Sequence, residues 1–218
     1  NSNGSAADSD LKTARVFRDN SAWYHILCVK DTTQSTASNR NKIYINGEQV
    51  TEFTTADYSS QNYANYAGLN HNVSVGGPST GGNSHHFDGY IAEVQFINGT
   101  ALGPEYFGET KEGIWIPKKS YADQGGSYGT NGFYLKYVAG AEGTDSSGNG
   151  NNFTHTPGNT SRNRAVQDSP TNNFCVMPYS NNPTILAKEH QGMRLNTSRT
   201  GYWDGAYGSF SVKSGKWY

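Results

Sequence analysis

The chain has 218 residues, a formal net charge of −1 and only 16% charged residues, against roughly a quarter in ordinary globular domains. Its few short basic runs are too small for a nucleic-acid-binding surface, and no apolar run approaches the ~18 residues of a membrane helix. Aromatic residues make up 13% of the chain and can build a core. The composition therefore predicts a turn-rich β protein with an aromatic core, without nucleic-acid partners or membrane insertion.

The first half of the chain contains three predicted strand regions. Residues 11–17 are predicted to form a strand, and the nearly continuous apolar run over residues 23–30 predicts a strand covered on both faces. Residues 42–50 predict a hairpin, because Asn46-Gly47 supplies the positive φ angles of a type I′ turn. Residues 51–69 are predicted to be a long loop, and a short strand is expected at residues 72–77.

Residues 87–99 have the clearest strand pattern of the chain. Tyr90, Ala92, Val94 and Phe96 occupy alternate positions between an Asp-Gly and an Asn-Gly dipeptide, with polar residues at 93 and 95. Such alternation is typical of a half-buried antiparallel strand, so these four side chains are predicted to share one face. A single helical turn is expected to follow over residues 101–109.

The second half of the chain is more irregular. Residues 133–138 predict a strand, and residues 140–163 predict a loop rich in Gly, Asn, Ser and Thr. Pro170, Pro178 and Pro183 indicate an extended connection. Further strands are expected at residues 193–195 and 208–212.

Several blocks of sequence, taken together, resemble one known family. The blocks are Phe17-Arg18-Asp19, Trp23-Tyr24-His25, Asp31-Thr32-Thr33-Gln34, Arg40, Ile43-Tyr44-Ile45-Asn46-Gly47, Phe87-Asp88-Gly89-Tyr90, and segments within 113–119, 127–135 and 145–151. In order and spacing they are similar to the laminin-G-like, concanavalin A-like lectin domains of virion proteins of tailed bacteriophages, especially marine ones.

The resemblance implies an all-β jelly-roll sandwich over residues 1–155, a linker over 156–183 and, at 184–218, the start of a second β-sandwich that resembles a SPRY domain. The family's first strands have no counterpart here, so we expect either a piece of a longer polypeptide, which we favour, or completion of the sheets by neighbouring subunits.

Residues that could catalyse a reaction are scarce. A glycoside hydrolase on this fold needs a pair of closely placed carboxylates, whereas residues 90–96 contain only Glu93. We therefore predict that the protein is not an enzyme and that Glu93 is a solvated strand residue.

Metal-binding signals are weak. His85-His86 stand next to each other without a nearby Cys or third His, which favours a polar loop over a metal site. Asp145 with Gly148-Asn149-Gly150-Asn151 offers two interpretations, a Ca²⁺ loop or a simple turn, and the turn is favoured because a single carboxylate is few for calcium. We predict no metal site and no cofactor.

Two cysteines cannot form a disulfide framework. Cys28 lies within an apolar run and is predicted to be a small buried side chain. Cys175 lies in a Pro/Asn-rich segment, and a Cys28–Cys175 bridge is the disfavoured alternative.

Tyr58, Tyr63 and Tyr66, interleaved with asparagines, are the candidate glycan-binding residues. Sugars stack on aromatic rings while amides bind their hydroxyls, and the resemblance implies contacts on loops at the rim of the sandwich. The alternative is that these tyrosines cover a sheet edge or pack against a neighbouring subunit.

The resemblance implies a function on a phage particle. We expect a non-enzymatic structural protein of the tail fibre or capsid surface, assembled in the host cytoplasm and exposed on the virion. Expected partners are other virion proteins and a host-surface glycan or protein. No heptad or triple-helix repeat demands an oligomer, and a homo-oligomer stays an open alternative. The alternative function is a secreted or cell-surface carbohydrate-binding module attached to an enzyme.

Overall fold

The structure, a computed structural model, describes residues 9–19, 22–64, 73–77, 87, 89–154 and 169–171, and the backbone of 185–189 and 194–197. Within these residues the chain is built from short antiparallel strands with one four-residue α-helix and two 3₁₀ turns. In order, the elements are β1 (Asp10–Thr13), β2 (Ile26–Lys30), α1 (Ala37–Arg40), β3 (Asn41–Ile45), β4 (Glu48–Gln49), β5 (Phe53–Asp57), β6 (Val94–Phe96), 3₁₀ (Pro104–Tyr106), β7 (Gly108–Lys111), β8 (Ile114–Pro117), 3₁₀ (Ala122–Gln124), β9 (Phe133–Leu135), β10 (Ile185–Glu189) and β11 (Arg194–Thr197).

The predicted hairpin at residues 42–50 is confirmed. β3 pairs with β4 and, on its other side, with β2 over its full length. Asn46 and Gly47 have φ angles of 50° and 82°, as a type I′ turn requires. The Asn46 side chain adds a tie, because its Oδ1 accepts a hydrogen bond from the backbone N–H of His25 at 2.8 Å.

The prediction that β2 is covered on both faces is wrong. Ile26 is 59% exposed, and Cys28 on the same face is an exposed free thiol. The apolar run therefore reflects a partly covered strand, and Cys28 is not the buried residue that we predicted. Cys175 lies outside the described residues.

β1 and β5 form a separate antiparallel pair with an irregularity between Lys12 and Thr13. The predicted strand at 11–17 is therefore shorter than expected and shifted towards the N-terminus. The predicted loop at 51–69 is wrong over Phe53–Asp57, where the sequence Phe-Thr-Thr-Ala-Asp pairs with β1. Thr54 and Thr55 are β-branched and suit a pleated surface.

The strand predicted at residues 90–96 is limited to Val94–Phe96. Glu93 has a φ of 53°, a left-handed conformation that interrupts the alternation. As a result, Tyr90 is 49% exposed and does not join the core face as predicted. β6 pairs instead with Phe133–Leu135, with Gln95 opposite Tyr134.

Aromatic side chains dominate the described core, as the composition predicts. Four of the seven buried hydrophobic side chains are aromatic, and Tyr128 and Tyr134 stack with nearly parallel rings 6.2 Å apart. The Tyr128 hydroxyl donates to the Gln95 side chain on β6, so a buried phenol has its polar partner. The seven are Ile45, Leu102, Phe107, Tyr128, Phe133, Tyr134 and Leu135.

The helical turn predicted over residues 101–109 is a 3₁₀ turn at Pro104–Tyr106, and the chain then enters β7. The β7–β8 turn uses Glu112 and Gly113 with φ angles of 51° and 80°, nearly the values of the β3–β4 turn. The β7–β8 hairpin was not predicted from the sequence, because Glu is uncommon at a positive φ.

The C-terminal region is described in part. β10 and β11 form an antiparallel pair, and β11 overlaps the strand predicted at 193–195. The strand predicted at 208–212, the rest of the segment that resembles a SPRY domain and most of the linker lie outside the described residues, so the domain boundaries stay predictions.

Candidate functional site

Two loops meet beside the end of β2 and bring a predicted glycan-binding residue to the surface. The backbone N–H of Asn62 donates to the Thr32 carbonyl at 2.7 Å, and the Thr32 hydroxyl donates to the Tyr63 carbonyl at 2.9 Å. The Gln61 amide donates to the Thr33 carbonyl at 3.3 Å. We call residues 30–36 and 58–64 together the Tyr63 surface.

Arg40, at the end of α1, holds both loops of the Tyr63 surface. Its guanidinium donates to the carbonyls of Gln34 at 2.7 Å, Ser35 at 2.7 Å and Ser59 at 3.0 Å. The planar fork of arginine can bind three carbonyl groups at once, which a lysine ammonium cannot do in the same geometry. The arginine therefore fixes the distance between the two loops.

The base of the Tyr63 surface is buried. Asn41 and Ser59 are 7% and 1% exposed, and the Asn41 Oδ1 accepts from the Ser59 backbone N–H at 3.1 Å. The Asn41 amide also donates to the Ser9 hydroxyl at 3.1 Å, which links β3 to the start of β1. The Ser59 hydroxyl oxygen is buried without a hydrogen-bond partner among the described residues.

Asp31 shapes the loop between β2 and α1. Its carboxylate accepts from the Thr33 hydroxyl at 2.6 Å, the Gln34 amide at 2.7 Å and the Thr33 backbone N–H at 3.1 Å. These hydrogen bonds, those from the Thr33 and Gln34 side chains first, hold the pKa of Asp31 below its ordinary value. The loop is thus fixed by its own side chains.

The tyrosine ring of the surface is half-buried and has a cation beside it. The Lys30 ammonium lies 5.6 Å from the centre of the Tyr63 ring, a cation–π distance. Tyr58 is also half-buried, whereas Gln61 and Asn62 are exposed. Tyr66 lies outside the described residues, so the structure describes two of the three predicted tyrosines, both in residues 58–64.

Chemically, the Tyr63 surface offers an aromatic ring, an ammonium group and the exposed amide side chains of Gln61 and Asn62. An aromatic face suits the C–H face of a pyranose, and exposed amides suit its hydroxyl groups. Lys30, Gln61 and Arg40 were not predicted as site residues. Only Arg40 had a signal in the sequence, because it is one of the blocks that carry the family resemblance.

The loop around Asp145 is filled by donors from the protein. The carboxylate of Asp145 accepts from the backbone N–H groups of Tyr134, Ser147 and Asn151 at 2.8 to 2.9 Å and from the Ser147 hydroxyl at 2.8 Å. Burial alone would raise the pKa of Asp145, but these hydrogen bonds bring it below its ordinary value. Calcium needs oxygen ligands with free lone pairs, so this arrangement fits the turn interpretation and not the calcium one.

The asparagines of the same loop are also engaged. The Asn149 amide donates to the carbonyls of Gly129 and Gly132, and the Asn151 amide donates to those of Thr130 and Gly132. The Gly-Asn run therefore binds the preceding turn. In the described part of the chain, no group of three or more His, Cys, Asp or Glu side chains is placed to hold a metal ion, while His85-His86 lie outside it.

Glu93 immediately precedes β6, which begins at Val94. Desolvation raises the pKa of its carboxyl, and the positive charge of Lys136 opposes the rise. Desolvation also raises the pKa of the Tyr134 hydroxyl, and the negative charge of Glu93 adds to that rise. Glu93 affects the fold through its left-handed backbone conformation, which stops the strand alternation before β6.

Residues 1–105 match the family model of the concanavalin A-like lectin/glucanases superfamily. The Tyr63 surface lies inside this match, and the described structure has almost no helix. The predicted all-β, concanavalin A-like sandwich fold is thereby confirmed. Comparisons with curated proteins and with solved structures found no match.

The superfamily includes both sugar-binding and sugar-cleaving domains, as its description states. The match therefore indicates a lectin/glucanase-like β-sandwich domain. Among the described residues, no helix is long and apolar enough to cross a membrane.

Proposed function

We propose that this chain is a non-enzymatic glycan-binding domain that contacts its ligand through the Tyr63 surface. The observation that supports it is the half-buried Tyr63 ring with the Lys30 ammonium beside it and exposed amide side chains next to it. Arg40 fixes the loops that carry these groups. A ring held in one orientation loses little entropy on binding. Tyr58 lies in the same loop and would extend the contact, as would Tyr66.

The proposal that the domain binds but does not cleave sugars rests on its carboxylates. Retaining and inverting glycosidases need two carboxyl groups roughly 5 to 9.5 Å apart across the scissile bond. The charged group that acts on the Glu93 carboxyl is the Lys136 ammonium, which is not a carboxylate. If the protein instead depolymerises a polysaccharide, Glu93→Gln should abolish the cleavage, and unaffected cleavage would exclude that residue.

We further propose that the domain belongs to a phage virion protein on the tail fibre or capsid surface. The support is the family resemblance of the sequence blocks, together with an uncharged surface rich in Asn, Ser, Thr and Gly. In this proposal its partners are other virion proteins and a host-surface glycan or protein. A homo-oligomer would present several weak sites at once and increase avidity.

Antibody labelling tests the proposed location. An antibody raised against this chain should label intact phage particles in negative-stain electron microscopy. Labelling of cell walls with unlabelled particles would overturn the virion proposal and support the alternative, a secreted or cell-surface carbohydrate-binding module attached to an enzyme.

A further inference from the structure

A second concave site lies where two hairpin turns and one extended segment meet. The β3–β4 turn at Asn46-Gly47, the β7–β8 turn at Gly113 and the segment after β1 at Arg15 enclose a cavity of about 380 Å³. Both turns carry glycine at the tip, and no atom lies within 4 Å of the position that a Gly113 Cβ would occupy. At Gly113 the missing side chain therefore leaves open space in the wall, whereas at Gly47 the indole of Trp115 occupies the place of a Cβ.

The cavity wall combines one aromatic ring with balanced charges. The Arg15 guanidinium and the Glu48 carboxylate lie 3.6 Å apart, and both side chains are largely exposed. The indole of Trp115 and the side chain of Thr110 complete the wall. The site therefore offers several N–H donors, a carboxylate acceptor and a hydroxyl beside an apolar surface.

Charge excludes most other ligand classes. The Glu48 carboxylate would repel an anionic ligand, and the Arg15 guanidinium would repel a cationic one. The cavity therefore favours neither sign of ligand charge. An apolar ligand would desolvate both charges without offering them hydrogen bonds, which is costly. A neutral ligand rich in hydroxyl groups satisfies both, because each hydroxyl donates and accepts.

We infer that this cavity binds one or two units of a neutral hexopyranose oligosaccharide, with a vicinal pair of hydroxyls between Arg15 and Glu48. The ligand class rests on the proposed glycan-binding function, but the site shares no residue with the Tyr63 surface. Two separate sites on one domain would let it bind a repeating polysaccharide at two points, with the gain in avidity that multivalency gives.

The test is calorimetric titration of the protein with maltotriose, cellotriose and mannotriose. Arg15→Ala and Glu48→Ala should each weaken binding of the preferred trisaccharide at least tenfold, because a hydrogen bond to a charged group is lost. The matched control is Lys12→Ala, which removes an exposed ion pair outside the cavity, Lys12 with Asp10 at 3.3 Å, and should leave the affinity unchanged. Circular dichroism confirms that each variant is folded.

Site-specific signals separate this inference from the proposed function. The trisaccharide should shift the backbone amide NMR signals of Gly47 and Gly113, and it should still do so in Tyr63→Ala. If Arg15→Ala and Glu48→Ala bind as the wild type does while Tyr63→Ala loses binding, the cavity inference is wrong and the Tyr63 proposal stands. Binding of acidic glycans alone, with none of the three trisaccharides bound, would also overturn the inference without touching the proposal.

Discussion

The indole of Trp115 lies directly against the backbone of Gly47, at the tip of the β3–β4 turn. A Cβ atom added to Gly47 would fall 2.3 Å from Cζ3 of that indole. The ring also covers Gly108 on the neighbouring strand, and its centre lies 5.6 Å from that of the His25 ring. Trp115 therefore joins the β7–β8 hairpin to the three-stranded sheet, and Gly47 is needed for packing as well as for its φ angle.

Gly47→Ala should lower the free energy of unfolding by about 1 to 3 kcal/mol more than Gly113→Ala. Both glycines have φ near 80° and end equivalent hairpins, so the conformational cost is shared. Only Gly47 has an indole in the path of the new methyl group. Urea unfolding of the two variants measures the difference, and equal losses would show that Trp115 does not constrain the turn.

Asp145→Asn should destabilise the fold by about 2 to 4 kcal/mol, since a buried acceptor of four hydrogen bonds becomes partly a donor. Asp31→Asn is the matched control, because the Asp31 carboxylate also accepts from a hydroxyl and a backbone N–H, both of Thr33, but on an exposed loop. We expect it to lose less than about 1 kcal/mol. Adding millimolar Ca²⁺ or EDTA should leave the thermal midpoint unchanged, and a calcium-dependent rise would contradict our account of the loop.

The depressed pKa of Asp145 also predicts a dependence on acid. Its stabilising effect is complete above the unfolded-state pKa of about 3.9 and is lost as the pH falls through the lower folded-state pKa. Urea titrations from pH 6 to pH 2.5 should show this loss in the wild type and a smaller loss in Asp145→Asn. Parallel curves for the two proteins would mean that Asp145 does not contribute.

His25 should make stability fall at mildly acidic pH. Burial lowers the pKa of its imidazole, which lies beside Phe107 and Trp115, and its Nδ1 is buried without a partner among the described residues. The neutral form is therefore favoured in the folded state, so stability is complete above the unfolded-state value of about 6.5 and is lost as the pH falls towards the folded-state pKa. His25→Phe keeps a ring in place and should flatten the dependence between pH 7 and 5; an unchanged slope would assign it to another group.

Arg40→Lys should loosen the Tyr63 surface without changing any residue proposed to touch a glycan. Three hydrogen bonds to carbonyls are lost or weakened, which predicts a loss of about 1 to 3 kcal/mol. Hydrogen exchange should become faster at the backbone amides of Asn62 and Tyr63 but stay unchanged at β9. Unchanged exchange in both places would show that the arginine does not hold the loops.

The sequence predicted the elements that depend on local chemistry. Asn46-Gly47 identified its hairpin because the turn requires positive φ, and the aromatic content predicted the core around Tyr128 and Tyr134. Alternation failed at residues 90–96 because a single left-handed residue, Glu93, changes which side chains share a face. Such a conformation depends on tertiary packing and leaves no local pattern.

The candidate site was predictable in part for the same reason. A loop rich in Tyr and Asn indicated where a glycan could bind, and both Tyr58 and Tyr63 are half-buried residues of that loop. Lys30 and Arg40 join that site through contacts between loops about 20 residues or more apart in sequence, such as Arg40 with Ser59. No periodicity or motif within one loop can predict such contacts.

The most direct test of the central claim is a glycan array probed with the wild type, Tyr63→Ala and, as a matched tyrosine control away from the surface, Tyr106→Ala. Our account predicts that the wild type and Tyr106→Ala bind the same glycans, and that Tyr63→Ala, although folded, loses at least tenfold in affinity for those that the Tyr63 surface holds. Equal binding by all three proteins would contradict the claim that the Tyr63 surface is a glycan-binding site.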